Sequence, residues 1–90
     1  MLIPSRTTQF KRDVKLAEKR GRDLLKLKSI MMKLAKEESL DSKFKDHKLT
    51  GDYKNHRECH IEPDWLLIYK ISRKEIVYVR TGTHSDLFQK

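Results

Sequence analysis

The spacing of apolar residues changes from a helical period in the first half of the chain to a strand-like period in the second. Phe10, Val14 and Ala17 recur at helical intervals from about Thr8. Gly21 predicts the end of this helix, since glycine is common just past a helix C-terminus. A second apolar stripe follows a capping aspartate, Asp23, and consists of Leu24, Leu27, Ile30, Met31 and Leu34. The first half of the chain therefore predicts two antiparallel helices.

The second half of the chain predicts a small sheet. Three short segments with a strand-like period are separated by the turn-forming stretches EPD and SRKE. The predicted strands are 56–61, 65–71 and 76–81, with a short further strand at Leu2 and Ile3. We therefore expect an α+β fold, in which two N-terminal antiparallel helices pack on one face of a small, mainly antiparallel β-sheet. Because 90 residues bury one modest core, residues 1–90 are expected to form a single domain.

Positive charge is concentrated in the predicted helices. The formal net charge is +8, and residues 1–45 carry 13 Lys and Arg against 6 Asp and Glu, a net of +7, which leaves +1 for the rest. Such a surface attracts polyanions, among them RNA, DNA and acidic proteins. Lys11, Lys15 and Lys26 are the candidates for RNA contacts. A solvated basic face with no specific partner is the competing interpretation.

The cysteine content and the apolar runs bear on the compartment. A lone cysteine, Cys59, permits no internal disulfide. The apolar runs fall short of the roughly 20 residues that span a bilayer, and the start of the chain, MLIPSRTTQF, lacks the pattern of a secretion signal. The sequence therefore predicts a cytoplasmic protein with no membrane partner.

The strand register predicts which side chains share a face of the sheet. If Ile71 faces Ile76 in a hairpin, Leu67 lies opposite Arg80, and a tight turn in the EPD segment places His60 opposite Leu67. One row across the sheet then reads His60, Leu67 and Arg80. The other face is expected to be apolar and to cover the helices, with Cys59, Ile61, Leu66, Ile68, Val77 and Val79.

The same register brings a group of polar and aromatic side chains to one exposed edge, namely His60, Asp64, Trp65, Arg80 and His84. Histidine exchanges protons near neutral pH, whereas arginine stays charged and suits a phosphate oxygen. These groups are the components for cleaving RNA without a metal: a ribose 2′-OH is deprotonated and attacks the adjacent phosphate, and the departing 5′ oxygen receives a proton. Purely structural roles compete with this interpretation, and for Trp65 the alternative is a place in the core.

Two metal-dependent interpretations fit the pattern less well. His56, Cys59 and His60 are close in sequence, but neighbouring residues of a strand point to opposite faces, and His56 and His60 are separated by roughly 13 Å along a strand. The carboxylates of this region are interspersed with basic residues, whereas a magnesium nuclease gathers several of them around the ion. We therefore expect neither a metal nor another cofactor.

Three segments of the chain, KDHKLTG, YKNHRECHIEPDWLLIYK and VRTGTHSDLF, together resemble the YafQ branch of the RelE family of type II toxins. The resemblance extends over nearly the whole chain and implies the same order of two helices followed by an antiparallel sheet. It also implies a ribosome-dependent mRNA endonuclease that enters the A site of the 30S subunit and cuts the codon there.

The resemblance further implies a set of site residues and partners. The matching motif positions are His84 and Asp64 as acid–base groups, His47 and His60 as positioning or charge-stabilising groups, Arg80 as a phosphate contact, and Trp65 and Phe88 as aromatic surfaces for RNA. The implied partners are a cognate antitoxin, the ribosome and mRNA, with operator DNA reached through the antitoxin complex. A non-catalytic RNA or ribosome binder is the alternative that the net charge supports equally well.

Overall fold

The computed structural model describes residues 1–88. Within this range the elements are β1 Ile3–Arg6, α1 Thr8–Lys19, α2 Leu24–Ala35, β2 His47–Lys48, β3 Arg57–Glu62, β4 Trp65–Ser72, β5 Glu75–Gly82 and α3 His84–Phe88, with short 3₁₀ helices at Ser42–Phe44 and Gly51–Tyr53. The strands form one sheet in the order β1-β5-β4-β3-β2, in which β1 runs parallel to β5 and the remaining pairs are antiparallel. The predicted α+β fold is confirmed.

The helices begin and end where the capping residues indicate. The Thr7 side chain accepts a hydrogen bond of 2.9 Å from the backbone N–H of Phe10, which satisfies a free donor at the start of α1. Asp23 caps α2 in the same way, accepting from the N–H of Leu25 at 3.0 Å. Between them, Gly21 adopts a φ of +78°, a left-handed conformation that glycine reaches without strain. No helix in residues 1–88 has the length and apolar character needed to cross a membrane.

The main core lies between the first two helices and one face of the sheet. It contains Leu2, Phe10, Ala17, Leu27, Ile30, Leu34, Ala35, Cys59, Ile61, Trp65, Leu67, Tyr69, Ile76 and Tyr78. A smaller apolar cluster covers the opposite face, where Leu66 and Ile68 pack against Leu87 of α3. The sheet is therefore buried on both faces, and α3, which the sequence did not predict, closes the second one.

The predicted register is correct at the turns and wrong beyond two bulges. Ile71 does pair with Ile76, but Val79 is an extra residue in β5, so that Ile68 and not Leu67 lies opposite Arg80. A second shift, between His60 and Glu62, places His60 opposite Leu66.

The bulges change which apolar residues face the helices. Since a slip of one residue exchanges the two faces of a strand, Leu67 joins the helix-side core, while Leu66, Ile68 and Val79 belong to the cluster under α3. Val77 pairs with Lys70 and likewise lies outside the helix-side core. Cys59 and Ile61 occupy the predicted face. The row that contains His60 is thus His60, Leu66 and Gly82.

Candidate active site

Strands β2 and β3 place two histidines around a buried carboxylate. Residues 58 and 60 lie on the same face of β3, because side chains alternate along a strand, and His47 of β2 pairs with Glu58 across the ladder. The Oε2 atom of Glu58 lies 3.0 Å from Nε2 of His47 and 3.6 Å from Nε2 of His60. The Glu58 side chain is 6% exposed, whereas that of His47 is 49% exposed. His47 therefore faces the surface, whereas the side chain of His60 is 16% exposed and that of Glu58 is buried.

A second acid–base pair forms where α3 meets the β3–β4 turn. The Nδ1 atom of His84 lies 2.6 Å from Oδ1 of Asp64, and the backbone N–H of His84 donates to the same oxygen at 2.9 Å. These two hydrogen bonds, the backbone one first, lower the pKa of Asp64 below that of a free aspartate. The carboxylate thus remains ionised at neutral pH and orients the His84 ring.

Helix α3 is held in place by its own first turn and by α1. The side chain of Thr83 accepts from the N–H of Asp86 at 3.0 Å, and Asp86 accepts from the N–H of Thr83 at 3.0 Å, which is a reciprocal capping box. Arg20 donates two hydrogen bonds to the same carboxylate, at 2.6 and 3.2 Å. Gly82 permits this close approach, since a Cβ there would meet Cβ of Asp86 at 3.0 Å. The position of His84 therefore depends on Asp86.

We expect acid to loosen α3 through Asp86. The Arg20 guanidinium and the Thr83 N–H hold the pKa of Asp86 far below its usual range. A carboxyl whose pKa is lower in the folded state stabilises the fold above its ordinary pKa, about 3.9, and loses that contribution as the pH falls below it. Asp86→Asn should lower Tm at pH 7 by about 4–8 °C and make the decrease of Tm between pH 5 and 2 less steep.

Thermal unfolding followed by circular dichroism measures this effect. Asp52→Asn, the same change at an exposed aspartate of the second 3₁₀ helix, serves as the control and should leave both the Tm at pH 7 and its acid dependence close to those of the wild type. Equal acid slopes for wild type and Asp86→Asn would contradict the assignment.

A row of rings extends from the edge of the sheet to α3. The ring centroids of His47 and His60 are 6.2 Å apart, those of His60 and His84 5.7 Å, and those of His84 and Phe88 6.5 Å. Phe88 then meets the ring of Tyr53 edge-on at 5.9 Å. Residues 84 and 88 share a helix face because they are four positions apart. We call these five residues the ring row. Four of them, His47, His60, His84 and Phe88, belong to the seven site residues that the resemblance implies. Asp64, which is bound to His84, is a fifth.

Arg80 lies on the same sheet face as Glu58, but its guanidinium is engaged elsewhere. Its Nε and one terminal nitrogen donate to the two carboxylate oxygens of Asp13 on α1, at 2.8 and 3.1 Å. This bidentate pair is the largest cause of a raised pKa of Arg80, and Tyr53 adds a smaller hydrogen-bonding contribution. Arg80 is thus anchored next to the ring row by its ion pair with Asp13 and keeps its charge. Its phosphate contact stays a prediction.

Trp65 has a structural position, and the expectation that it stacks on RNA does not fit the structure. The residue is 1% exposed, and its Nε1–H donates to Oγ1 of Thr81 at 3.0 Å inside the helix-side core. The guanidinium of Arg22 covers the ring at 5.4 Å from its centroid. No face of the indole is therefore available to a base.

A family model described as the bacterial toxin of type II toxin–antitoxin systems, YafQ, matches residues 3–89. The chain belongs to this toxin family. The mRNA interferase toxin YafQ of Escherichia coli K12 is 48% identical over 81 residues, which cover 89% of this chain and 88% of that protein. The YafQ resemblance seen in the sequence is thereby confirmed.

Two solved structures extend the comparison of this YafQ-family chain. The toxin chain in a crystal structure of the E. coli DinJ–YafQ toxin–antitoxin complex is 44% identical, with a TM-score of 0.89 and 97% of both chains covered. A metal-bound toxin from Helicobacter pylori is 42% identical, with a TM-score of 0.91, and the match covers 98% of this chain and all of that one. Both share the fold of this chain over almost its full length.

A basic groove borders the ring row of this YafQ-family chain at His60. It has a volume of about 740 Å³ and lies between α2, the 3₁₀ helix Ser42–Phe44 and the outer part of β3. Apolar side chains, among them Ile30, Phe44 and Ile61, line it together with four lysines, Lys26, Lys33, Lys43 and Lys45. Lys26 is paired with Glu62 at 3.0 Å. Lys11 and Lys15 are exposed on α1 and do not line this groove.

The residues considered as zinc ligands do not come together at one site. Cys59 is fully buried in the helix-side core, and burial raises the pKa of its thiol to about 12, whereas His60 lies on the other face of β3. In the described part of the chain no three His, Cys, Asp or Glu side chains are grouped as a metal site requires.

Sequence reasoning missed two members of the site. Glu58 stands two residues before His60, so strand periodicity alone places it on the same face, and this signal was available in the sequence. Tyr53 lies in a 3₁₀ helix within a polar connection. Its ring contacts with Phe88 depend on the tertiary fold, and no local pattern indicates them.

Proposed function

We propose that this YafQ-family chain is an mRNA interferase, a metal-independent endoribonuclease that cuts the codon in the ribosomal A site. The observation that carries the proposal is the His84–Asp64 pair within a row of three histidines. Simple phosphate binding requires no oriented imidazole and no buried acid beneath the neighbouring histidines. The E. coli relative that is 48% identical bears the name mRNA interferase toxin, which supports the same activity here.

The hydrogen bonds of His84 favour a role as general base. A carboxylate accepts and does not donate, so the Nδ1 atom of His84 carries the proton in its 2.6 Å contact with Asp64. In the neutral ring, Nε2 then holds the lone pair. This nitrogen removes the proton of a ribose 2′-OH, the 2′ oxygen attacks the adjacent phosphorus, and the bond to the 5′ oxygen breaks. The products are a 2′,3′-cyclic phosphate and a 5′-OH. The leaving 5′ oxygen takes up a proton from water, and His84 returns the proton of the 2′-OH to water.

The other members of the ring row serve the transition state and the substrate. His47 and His60 stabilise charge that develops on the phosphate oxygens. Phe88 and Tyr53 offer ring surfaces for a base, which replaces the contribution first expected from Trp65. Arg80, anchored by Asp13, contributes positive charge next to the row.

The basic groove provides a path for the RNA strand next to His60. Three of its lysines, Lys33, Lys43 and Lys45, are exposed, and their charges lie along one continuous depression. Ammonium groups in such an arrangement track phosphates irrespective of sequence. Lys26 adds to this groove. Lys11 and Lys15, which are exposed on α1, are the further proposed contacts with RNA.

A cognate antitoxin is the proposed protein partner. A YafQ chain of the same fold occurs in the DinJ–YafQ toxin–antitoxin complex of E. coli. The net charge of +8 suits an acidic segment of such a partner. Operator DNA is then reached through the antitoxin complex, and the site of action is the cytoplasm, where ribosomes translate.

The test maps RNA 5′ ends after the purified protein is added to programmed ribosomes or to the same mRNA without ribosomes. We expect new ends within the A-site codon of ribosome-bound message and none on naked mRNA. Because ribosomes need Mg²⁺, treating the toxin with a chelator that is removed before mixing tests its dependence on tightly bound metals other than Mg²⁺, and the cleavage rate should be unchanged. Ribosome association without new ends would favour a non-catalytic binder instead.

Removing charge from the groove should weaken association with RNA. Lys33→Gln combined with Lys43→Gln should weaken ribosome binding and reduce the slope of log K against log salt by roughly 0.7 for each phosphate that a lysine no longer neutralises. The control combines Lys70→Gln with Lys74→Gln, which removes the same charge from exposed positions around the β4–β5 turn. Equal salt slopes for the two double variants would exclude the groove as the RNA path.

A further inference from the structure

Glu58 is a buried acid for which no role was predicted from the sequence. The residue is 5% exposed, and its Oε1 atom accepts no hydrogen bond from any group in residues 1–88. An ionised carboxylate in such a place is costly unless a cation lies against it. The contacts of its other oxygen, Oε2, are with the two histidines described above.

The two contacts of His47 determine how its ring is protonated. Its Nδ1 atom lies 2.6 Å from the carbonyl oxygen of Lys45, and its Nε2 atom lies 3.0 Å from Oε2 of Glu58. A carbonyl oxygen accepts hydrogen bonds, and so does a carboxylate oxygen. Both ring nitrogens must therefore carry a proton for both contacts to be favourable, which is the imidazolium form.

Glu58 is the counter-ion of the His47 imidazolium, because the other acidic groups nearby are bound to different partners. Asp46, next to His47 in the chain, accepts from Arg57 at 3.1 Å and from the Tyr69 hydroxyl at 2.6 Å. Asp64 is bound to His84. The other basic groups on this side are His60, Arg80 and the exposed lysines of the basic groove. Arg80 is paired with Asp13. Among residues 1–88 only His47 and His60 form an ion-pair contact with Glu58, and His47 is the nearer of the two. An imidazole is also a stronger base than a carboxylate, by roughly two pKa units in unstructured peptides, so the shared proton resides on the ring.

We propose that Glu58 is a positioning residue that holds His47 in the imidazolium form, so that His47 acts in RNA cleavage as a fixed positive charge. The inference rests on the proposed function. Since both of its nitrogens donate to the protein, His47 has no lone pair with which to act as a base, and that role belongs to His84. Glu58 acts through His47 and does not touch the substrate.

The protonation of His47 is measured directly by ¹⁵N NMR of the histidine side chains in the free protein at pH 7. We expect both His47 nitrogens to be protonated in the wild type and the neutral ring to predominate in Glu58→Gln, which keeps the size of the side chain but removes its charge. Glu75→Gln, an exposed position at the start of β5, removes the same charge and should leave the His47 signals unchanged. A neutral His47 ring in the wild type, with the proton on Glu58, would overturn the proposal without any need for a variant to fold.

Cleavage on programmed ribosomes tests whether the effect passes through His47. We expect Glu58→Gln to lower the rate by at least about tenfold, and by no more than His47→Ala, for which roughly 100-fold is expected. The double variant should then be about as active as His47→Ala alone, because the two residues act as one unit. If the rate losses of the two single variants multiply in the double variant, Glu58 does not act through His47 and the proposal is overturned.

The two experiments separate the inference from the proposed function. If the wild type does not cut ribosome-bound mRNA, the proposed function fails, while the NMR signals still decide whether Glu58 holds His47 as a cation. If the wild type cuts the message and the Glu58→Gln signals equal those of the wild type, the activity stands and the positioning role fails.

Discussion

Replacing His84 by glutamine is expected to lower the rate of ribosome-dependent mRNA cleavage by about 10²–10⁴-fold, the contribution of a positioned general base. Glutamine keeps an amide that can donate to Asp64 but has no basic nitrogen at the position of Nε2. The side chain of His84 is 49% exposed, so the change should cost little stability. Loss of activity with an unchanged Tm is therefore the expected combination.

Single-turnover cleavage of ribosome-bound mRNA, with toxin in excess, measures the chemical step without product release. His56→Gln is the matched control, because it replaces another partly exposed histidine whose Nδ1 contacts a backbone carbonyl, that of Lys54, at 3.0 Å. A His84→Gln protein that cuts at the wild-type rate would remove His84 from the role of base. The pair formed with Asp64 would then be structural, a stabiliser of the start of α3.

The main elements of the fold could be predicted from local patterns. Phe10, Val14 and Ala17 mark the buried side of α1 at helical spacing, and the caps at Thr7 and Asp23 define where the helices begin. Such signals are local, because capping and amphipathic spacing act within one or two turns. Helix α3 has only five residues. Its capping box, formed by Thr83 and Asp86, is a local signal that the sequence carries, but its ion pair joins Asp86 to Arg20, 66 positions away. No local pattern predicts that contact.

The predicted register is wrong where a β-bulge interrupts the regular geometry of a strand. Val79 is neither glycine nor proline, so the bulge in β5 has no local sequence signature, and counting from Ile71 and Ile76 gives the wrong partner for Arg80. The face of Cys59 and Ile61 was still predicted correctly, because alternation within β3 is independent of its partner as far as Ile61.

The convergence of Asp64 with His84 was predictable because both residues lie next to strand ends that the sheet brings together. Asp64 lies in the turn before β4, and His84 lies just past the end of β5, the neighbouring antiparallel strand. Only the family resemblance indicated His47 and Phe88. Both lie in very short elements, the two-residue strand β2 and the five-residue helix α3, which periodicity does not predict. The placement of Trp65 was the opposite case, a residue at an exposed turn whose ring enters the core.

Trp65→Ala is expected to lower the free energy of unfolding by about 3–5 kcal/mol, as large truncations in a core do. The ring packs among the helix-side core residues, and its Nε1–H donates to Oγ1 of Thr81, whose hydroxyl in turn donates to the carbonyl of Leu66 at 2.7 Å. Because a domain of this size is stabilised by about 5–15 kcal/mol in total, a substantial part of the margin is lost. Urea unfolding followed by circular dichroism gives the difference, because the variant lacks the one tryptophan of the sequence.

Trp65→Leu decides between a core role and RNA stacking, since leucine keeps an apolar side chain but offers no ring to a base. If Trp65 is a core residue, the variant loses stability, and its cleavage rate per folded molecule equals that of the wild type. Phe88→Leu is the opposite control: its ring is partly exposed and belongs to the ring row, so activity should fall while the unfolding free energy changes little. A Trp65→Leu protein that is fully folded yet cuts poorly would show that the indole reaches the RNA, which requires the Arg22 side chain that covers it to move away when substrate binds.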